Sequence, residues 1–188
     1  MDALEAIAAR RSRRSYAPTP VEKGKIAQIL EAARLAPSAA NAQPWHFVVV
    51  TDPRKRKSLS EGGIFAKFLS DSPVVVVCCG DKEASPKWHL VDTSLAMQNM
   101  VIAATALGLG TCIVGSFDEG QVRKLLRIPE RFAVVALLAI GYALEKRDLA
   151  ADLLHLFRRR KELQNIASAE EFGKPYLSEN GPNGGAKR

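Results

Sequence analysis

Arg10-Arg11-Ser12-Arg13-Arg14-Ser15-Tyr16 sets four guanidinium groups and two serine hydroxyls in seven residues. It stands where an apolar helical pattern ends. Leu4, Ile7 and Ala8 recur at helical spacing over residues 2–11, and the arginines gather at the end, where the helix dipole favours cations. A guanidinium binds phosphate through two parallel hydrogen bonds. If the helix continues, Arg10 and Arg14 are four apart and share a face. Two readings stand: a phosphate clamp, or a solvated basic helix end, which is the commoner fate of a charge run.

Outward from this segment the chain alternates helices and strands. Pro18 and Pro20 break the first pattern. Thr19 is placed as an N-cap with Pro20 at the first helical position, and a helix through Ile26, Ile29, Leu30 and Ala33 stops at Pro37. Residues 45–50, 74–79, 111–114 and 132–140 read as strands. The second of these is continuously apolar, as in a strand buried on both faces. Short helices are expected at 55–59 and 65–69, around Gly62-Gly63. A long helix over 88–107, apolar nearly all round, belongs at the centre, with Gly108 as its C′ residue. A further helix spans 117–126 and ends before Pro129. Strands alternating with helices imply an α/β or α+β class with a layered sheet.

The bulk properties narrow the function classes. The 188 residues suit one domain with a substantial core. The net charge of +7 attracts anions such as nucleotides, dinucleotide phosphates or nucleic acid. Cys78 and Cys79, adjacent in a strand, should face opposite sides of the sheet. With Cys112 they read as small buried hydrophobes. Without a secretory leader at the N-terminus the expected compartment is a reducing cytoplasm, with no disulfide framework. The apolar stretch from Leu90 carries Asp92, Gln98 and Asn99 and is too interrupted to span a bilayer, so no membrane partner is expected. His46, His89 and His155 lack metal-ligand spacing. Ser38 lies in no nucleophile elbow, and Cys112 has no partner marking it as a nucleophile, so no catalytic side chain is assigned. Residues 1–150 are read as the main domain. Residues 151–188 are read as a helical arm built on Leu153, Leu154, Leu156, Phe157 and Leu163, then a disordered tail from Asn180.

Three more stretches carry two readings each. In Ala36-Pro37-Ser38-Ala39-Ala40-Asn41-Ala42-Gln43-Pro44-Trp45, the small residues let a flat ring approach the backbone, and Asn41 both donates and accepts. The same stretch also ends a helix and turns into a strand. Gly108-Leu109-Gly110-Thr111-Cys112-Ile113-Val114-Gly115 could place a backbone N–H of Gly115 at a ligand. It could equally be a helix C-cap, a strand and a turn. It is no dinucleotide fingerprint, because the glycines follow a helix and precede a strand. Lys146 and Arg147, beyond the fourth strand, add charge at an anion or form an ordinary basic loop.

Together, and in this order, these stretches resemble the nitroreductase family of FMN-dependent NAD(P)H oxidoreductases. The resemblance runs over about residues 2–150. It rests on the arginine segment, on residues 30–38 with Asn41-Ala42-Gln43-Pro44-Trp45, on Gly108-Leu109-Gly110-Thr111, and on the helix sequence from Asp92 to Met100. It implies an α+β fold, an α-β-α layering with a central, mostly antiparallel sheet, in an intertwined homodimer. It implies FMN as cofactor, in two sites each built from both subunits. Arg10, Ser12 and Arg14 would hold the flavin from one subunit, with Arg11 alongside through its backbone. Pro37, Ser38, Ala39 and Asn41 would face it from the partner. Val114 and Gly115 would lie near flavin N5, and Arg147 with Lys146 would complete the phosphate site. An Asn-x-x-Lys pair known in larger members is not evident, which leaves Arg14 as one candidate to balance charge at flavin N1 and O2. The implied reaction passes hydride from a nicotinamide through N5 to a nitroaromatic, quinone or flavin by a ping-pong mechanism. Two alternatives are carried: an FMN protein with a specialised reaction, reductive dehalogenation or flavin fragmentation, and a basic nucleic-acid-binding protein. Few aromatics and no known module speak against the last.

Overall fold

The residues of Val74–Asp81 are all buried, and a strand dry on both faces has to sit inside a sheet. The computed structural model, which describes residues 1–63, 65–144 and 160–176, places it there. The chain divides into two units, Met1–Lys146 and Arg147–Arg188. In the first, the order is α1 (Ala3–Ala9), α2 (Lys23–Arg34), β1 (Trp45–Val50), α3 (Pro53–Glu61), β2 (Val74–Asp81), α4 (His89–Ala106), β3 (Gly110–Val114), α5 (Glu119–Leu126) and β4 (Phe132–Gly141). The sheet order is β1-β2-β4-β3, and all three ladders are antiparallel. The class is therefore α+β.

Two apolar layers sandwich the sheet. Val74, Val76, Cys78, Leu138 and Ile140 face Ile29 and Ala33 of α2 and Ala96, Met100 and Val101 of α4. Val75, Val77, Cys79, Leu137 and Ala139 face Leu59 of α3, Leu69, Val122 of α5 and Tyr16. Cys78 and Cys79 thus enter opposite layers, as strand alternation requires. Gly80 lets the first turn of α4 come down onto the end of β2. A Cβ there would lie 2.9 Å from the His89 carbonyl oxygen and 2.9 Å from Thr93 Oγ1.

Two expectations need correction, and the condition set on the first helix fails. The first helix does not run on to Arg14. It ends at Ala9, and Ser12 forms a parallel bridge with Thr111 while the Arg13 N–H donates to the Thr111 carbonyl at 2.8 Å. The backbone after Ala9 pairs with the open edge of β3, which satisfies groups a short helix could not. Arg10 and Arg14 therefore do not share a helix face. The second helix starts at Lys23 rather than Pro20, with Glu22 at the N-cap and no side-chain cap bond. The Ala17 N–H donates to the Tyr142 carbonyl at 2.8 Å, and the Tyr142 hydroxyl donates to the Glu22 carboxylate, which together hold the entry extended. Helix α4 is not enclosed all round. Asp92, Thr93, Ala96, Met97, Met100, Val101 and Ala104 are buried, while Leu90, Val91 and Leu95 stay exposed.

Other boundaries follow local chemistry. Gly108, at φ 78°, is the left-handed C′ residue of α4. Asp118 caps α5 by accepting from the Gln121 N–H, and left-handed Arg127 ends it. The short helix expected at 65–69 is a 3-10 turn, Lys67–Ser70. In the second unit, Leu163–Asn165 is a 3-10 turn and Ser168 bridges Pro175. Leu163 is exposed. Leu153, Leu154, Leu156 and Phe157, and the tail from Asn180, lie outside the described residues.

Burial raises the proton affinity of three core groups. Desolvation pushes the Cys79 thiol up to about 11 and the Cys78 thiol and Tyr16 phenol higher still. Each binds its proton more tightly when folded, so its contribution is complete below its ordinary value and is lost as pH rises through the folded one. Denaturation midpoints should hold from pH 7 to 8 and fall above about 9, each group adding up to about 1.4 kcal/mol per pH unit. Tyr16→Phe should remove the part that begins near pH 10. A flat profile to pH 10.5 would overturn this. Gly80→Ala should cost about 1–3 kcal/mol in a urea titration, because backbone as well as side chain must give way.

Candidate functional site

The arginine segment is a strap across one end of the sheet. Besides the Ser12 and Arg13 pairings to Thr111, the Tyr16 hydroxyl donates to the Arg13 carbonyl at 2.5 Å. Tyr16 bridges Ala143, and the Leu144 N–H donates to the Ser15 carbonyl at 3.0 Å. Gly110 is required for this approach, since a Cβ there would meet Arg13 Cγ at 2.9 Å and Arg13 Cβ at 3.0 Å. Gly141 admits Pro73 and Tyr16 in the same way. The Arg11 guanidinium turns back onto α1 and donates to the carbonyls of Ala8 at 2.7 Å and Arg10 at 2.8 Å, where a cation suits the helix C-terminus. Ser12 and Arg14 are exposed and Arg10 is half-buried. Lys146 and Arg147 lie outside the described residues. Leu144, two positions before Lys146, is the bond donor to the strap.

Loop 37–43 is the most strained stretch among the described residues. Ala40, Asn41 and Gln43 take positive φ values of 50°, 55° and 47°. Asparagine tolerates this region, but alanine and glutamine pay about 1–2 kcal/mol each for it. The loop is held by short-range bonds: Asn41 N–H to the Ser38 carbonyl at 3.0 Å, Ala42 N–H to the Ala39 carbonyl at 3.0 Å, and Gln43 N–H to Ser38 Oγ at 2.9 Å. One bond reaches out of the loop, from the Ala39 N–H to Asp92 Oδ1 at 3.2 Å. Asp92 is 3% exposed and lies in the first turn of α4, where a carboxylate is favoured. Reading the sequence for site residues missed Asp92. Its signal was a lone acid in the first turn of an otherwise apolar helix. Pro37 and Asn41 are exposed, and Ser38 and Ala39 half-buried.

Val114 is buried at the end of β3, opposite Leu137. Gly115 follows it, exposed. A Cβ built there meets nothing within 4 Å, so this glycine is not required by packing and its backbone is uncovered. The turn at Gly62-Gly63 closes onto the same loop, because a Cβ at Gly63 would run into the Ser116 carbonyl.

The ladders fix where these pieces stand. Val74 pairs with Ile140, and Gly141 pairs with Gly110, so the strap lies at the Val74 end of β2. Trp45 pairs with Gly80, and the Asp81 N–H donates to the Pro44 carbonyl at 2.8 Å, so loop 37–43 lies at the other end. Eight strand residues separate those ends by about 23 Å. Val114 stands midway, since its partner Leu137 pairs in turn with Val77. The structure therefore joins Arg10, Arg11, Ser12 and Arg14 to the start of β3 and the exit of β4. It does not bring Pro37, Ser38, Ala39 or Asn41 to them within one chain. Among the described residues no cluster of three metal-ligating side chains occurs, and no helix is long and apolar enough to cross a membrane.

Known proteins are similar to this chain in sequence and fold. The chain matches the Nitroreductase family over residues 7–62 and 60–142. It is 36% identical over 155 residues to an Archaeoglobus fulgidus protein with the provisional name NADH dehydrogenase/NAD(P)H nitroreductase, covering 78% of this chain and 88% of that one. It is 31% identical over 182 residues to the NADH dehydrogenase of Thermus thermophilus, covering 78% and 89%. Among solved structures, the FMN-dependent nitroreductase of Clostridium difficile R20291 superposes with a TM-score of 0.70 at 32% identity, over 85% of this chain and 99% of that one. The antiparallel four-stranded sheet between helical layers, the arginine strap and these matches agree: the chain belongs to the nitroreductase family.

Proposed function

We propose that this protein is an FMN-dependent NAD(P)H oxidoreductase that works as a homodimer. The observation that carries the reading is the separation of a guanidinium strap from a strained loop of small residues along one sheet. FMN is long, with a dianion at one end and a flat ring at the other. The two pieces have the chemistry for those two ends, and a second copy related by a two-fold axis can present the loop of one chain to the strap of the other. The exposed side chains Leu4 and Ile7 of α1 and Leu90, Val91 and Leu95 of α4 supply an apolar surface for such a pairing. Helices α1 and α4 pack on each other, so these side chains belong to neighbouring elements.

The residues present fit the cofactor. Arg10 and Arg14 would hold its phosphate by charge-assisted bonds, with Ser12 and the Arg11 backbone. Pro37, Ser38, Ala39 and Asn41 of the other chain would pack on and bond the ring and ribityl chain. The uncovered backbone at Gly115, beside Val114, gives close access to the reactive edge. When bound, FMN would supply hydride-transfer chemistry between NADH or NADPH and a second substrate, such as a nitroaromatic, a quinone or a free flavin. The chain's own part is to orient that exchange and to place positive charge where the reduced ring becomes anionic. The Clostridium difficile relative, FMN-dependent by name, supports the choice of cofactor.

The purified protein should be yellow, and NADH or NADPH should bleach it in a stopped-flow mixer. Arg10→Ala should weaken FMN by about 1.5–3 kcal/mol, roughly ten- to a hundredfold, while leaving riboflavin affinity unchanged. Equal affinity for FMN in both proteins would sink the clamp. A second test asks whether each site spans two chains. Arg10→Ala and Asn41→Ala homodimers should both bind FMN poorly, but mixing and reassembling them should restore tight binding to about a quarter of the sites, because half the dimers are mixed and each of those holds one intact site. No recovery on mixing would show a site built within one chain.

A further inference from the structure

We propose that Asp92 is a positioning residue that holds the ring-facing loop in its strained shape before any cofactor arrives. The proposal rests on the FMN reading for what the loop meets. Its starting point is a loop that should not persist unaided. Ala40, Asn41 and Gln43 all have positive φ without a glycine among them, and such conformations last only where surroundings over-determine them. Most of the loop's bonds are internal and would move with it. The bond from Ala39 N–H to Asp92 Oδ1 at 3.2 Å ties it to a rigid element.

That element is itself fixed from two sides. Ser85 Oγ donates to Asp92 Oδ2 at 3.3 Å, which sets the plane of the carboxylate. Ser85 is in turn held by its N–H, which donates to the Asp81 carbonyl at 3.2 Å, and by its carbonyl, which accepts the His89 N–H at 3.0 Å. On the other side, Gly80 seats the His89–Thr93 turn of α4 directly on β2. The loop is thus referred to the central strand through Asp92. A neutral residue without an acceptor at position 92 would leave the Ala39 N–H without this partner and let the left-handed residues relax. The ring-facing backbone would shift, while the strap, at the far end of β2, would not.

Asp92→Ala should therefore weaken FMN and riboflavin by the same factor, about tenfold or more, since the strap's hold on phosphate is intact. Asp92→Asn, whose amide oxygen still accepts, should recover most of the affinity for both. If Asp92→Ala only lowers the melting temperature and leaves both affinities unchanged, the residue is structural and the proposal fails. If FMN weakens and riboflavin does not, Asp92 acts on the phosphate site and the proposal also fails. Hydrogen exchange on the cofactor-free wild type decides the matter where Asp92→Ala does not fold or where the wild type binds neither flavin. The Ala39 amide should be protected without ligand and stay largely protected in Asp92→Asn, whose amide oxygen still accepts, whereas exchange at the free-peptide rate in the wild type would overturn the tether. Failure of the wild type to bind flavin counts against the FMN reading alone.

Discussion

The length and burial of β2 constrain everything else. Eight successive buried residues force it inward, with β1 on one side and β4 on the other. Its antiparallel partners then send their connections to opposite ends. The strap can reach only the end where β3 starts and β4 leaves. Loop 37–43 can reach only the end where β1 starts. A ladder of backbone hydrogen bonds does not slide when one face or both are buried, because a one-residue slip would turn every side chain to the wrong layer. The separation of the strap from loop 37–43 is therefore as rigid as the core itself.

Helical periodicity cannot see a strand edge. That is why α1 is legible in the sequence and its end is not. Leu4, Ile7 and Ala8 mark the helix, and nothing local forbids its continuing through the arginines. What stops it is Thr111, about a hundred positions away, whose backbone pairs with Ser12 and Arg13. The start of α2 went astray for the same reason. Thr19-Pro20 is a sound local start signal, but Tyr142 holds Ala17 and Glu22 from the exit of β4. By contrast the four strands and the C′ glycine of α4 were legible, since continuous apolar runs and a glycine after a helix depend on their own residues. The exposed flank of α4 is not legible, because apolar composition alone does not tell which side chains the fold encloses.

Loop 37–43 marks the limit of reading residue types. Positive φ is signalled by glycine or asparagine. Here alanine and glutamine adopt it, so the sequence shows a turn and conceals the strain. The stabilising partner, Asp92, lies on an element fifty residues on, and its carboxylate is spent inside the protein. In the sequence a buried acid on an apolar helix reads only as an interruption of a hydrophobic stretch. Its backbone partner on a distant turn gives that interruption its physical sense.

The glycine-rich stretch 108–115 shows how bland and functional readings coexist in one motif. Gly108 is there for its left-handed φ at the end of α4. Gly110 is there for space, because Arg13 lies against its α-carbon. Both are explained within the fold, Gly110 by the seat it gives the strap. Gly115 differs from both. Its surroundings are open enough to accept a Cβ, so packing within the chain gives no reason for a glycine. The helix cap, the strap seat and the open loop are three different surroundings for glycine in eight residues, and the last is set by nothing that packs against it.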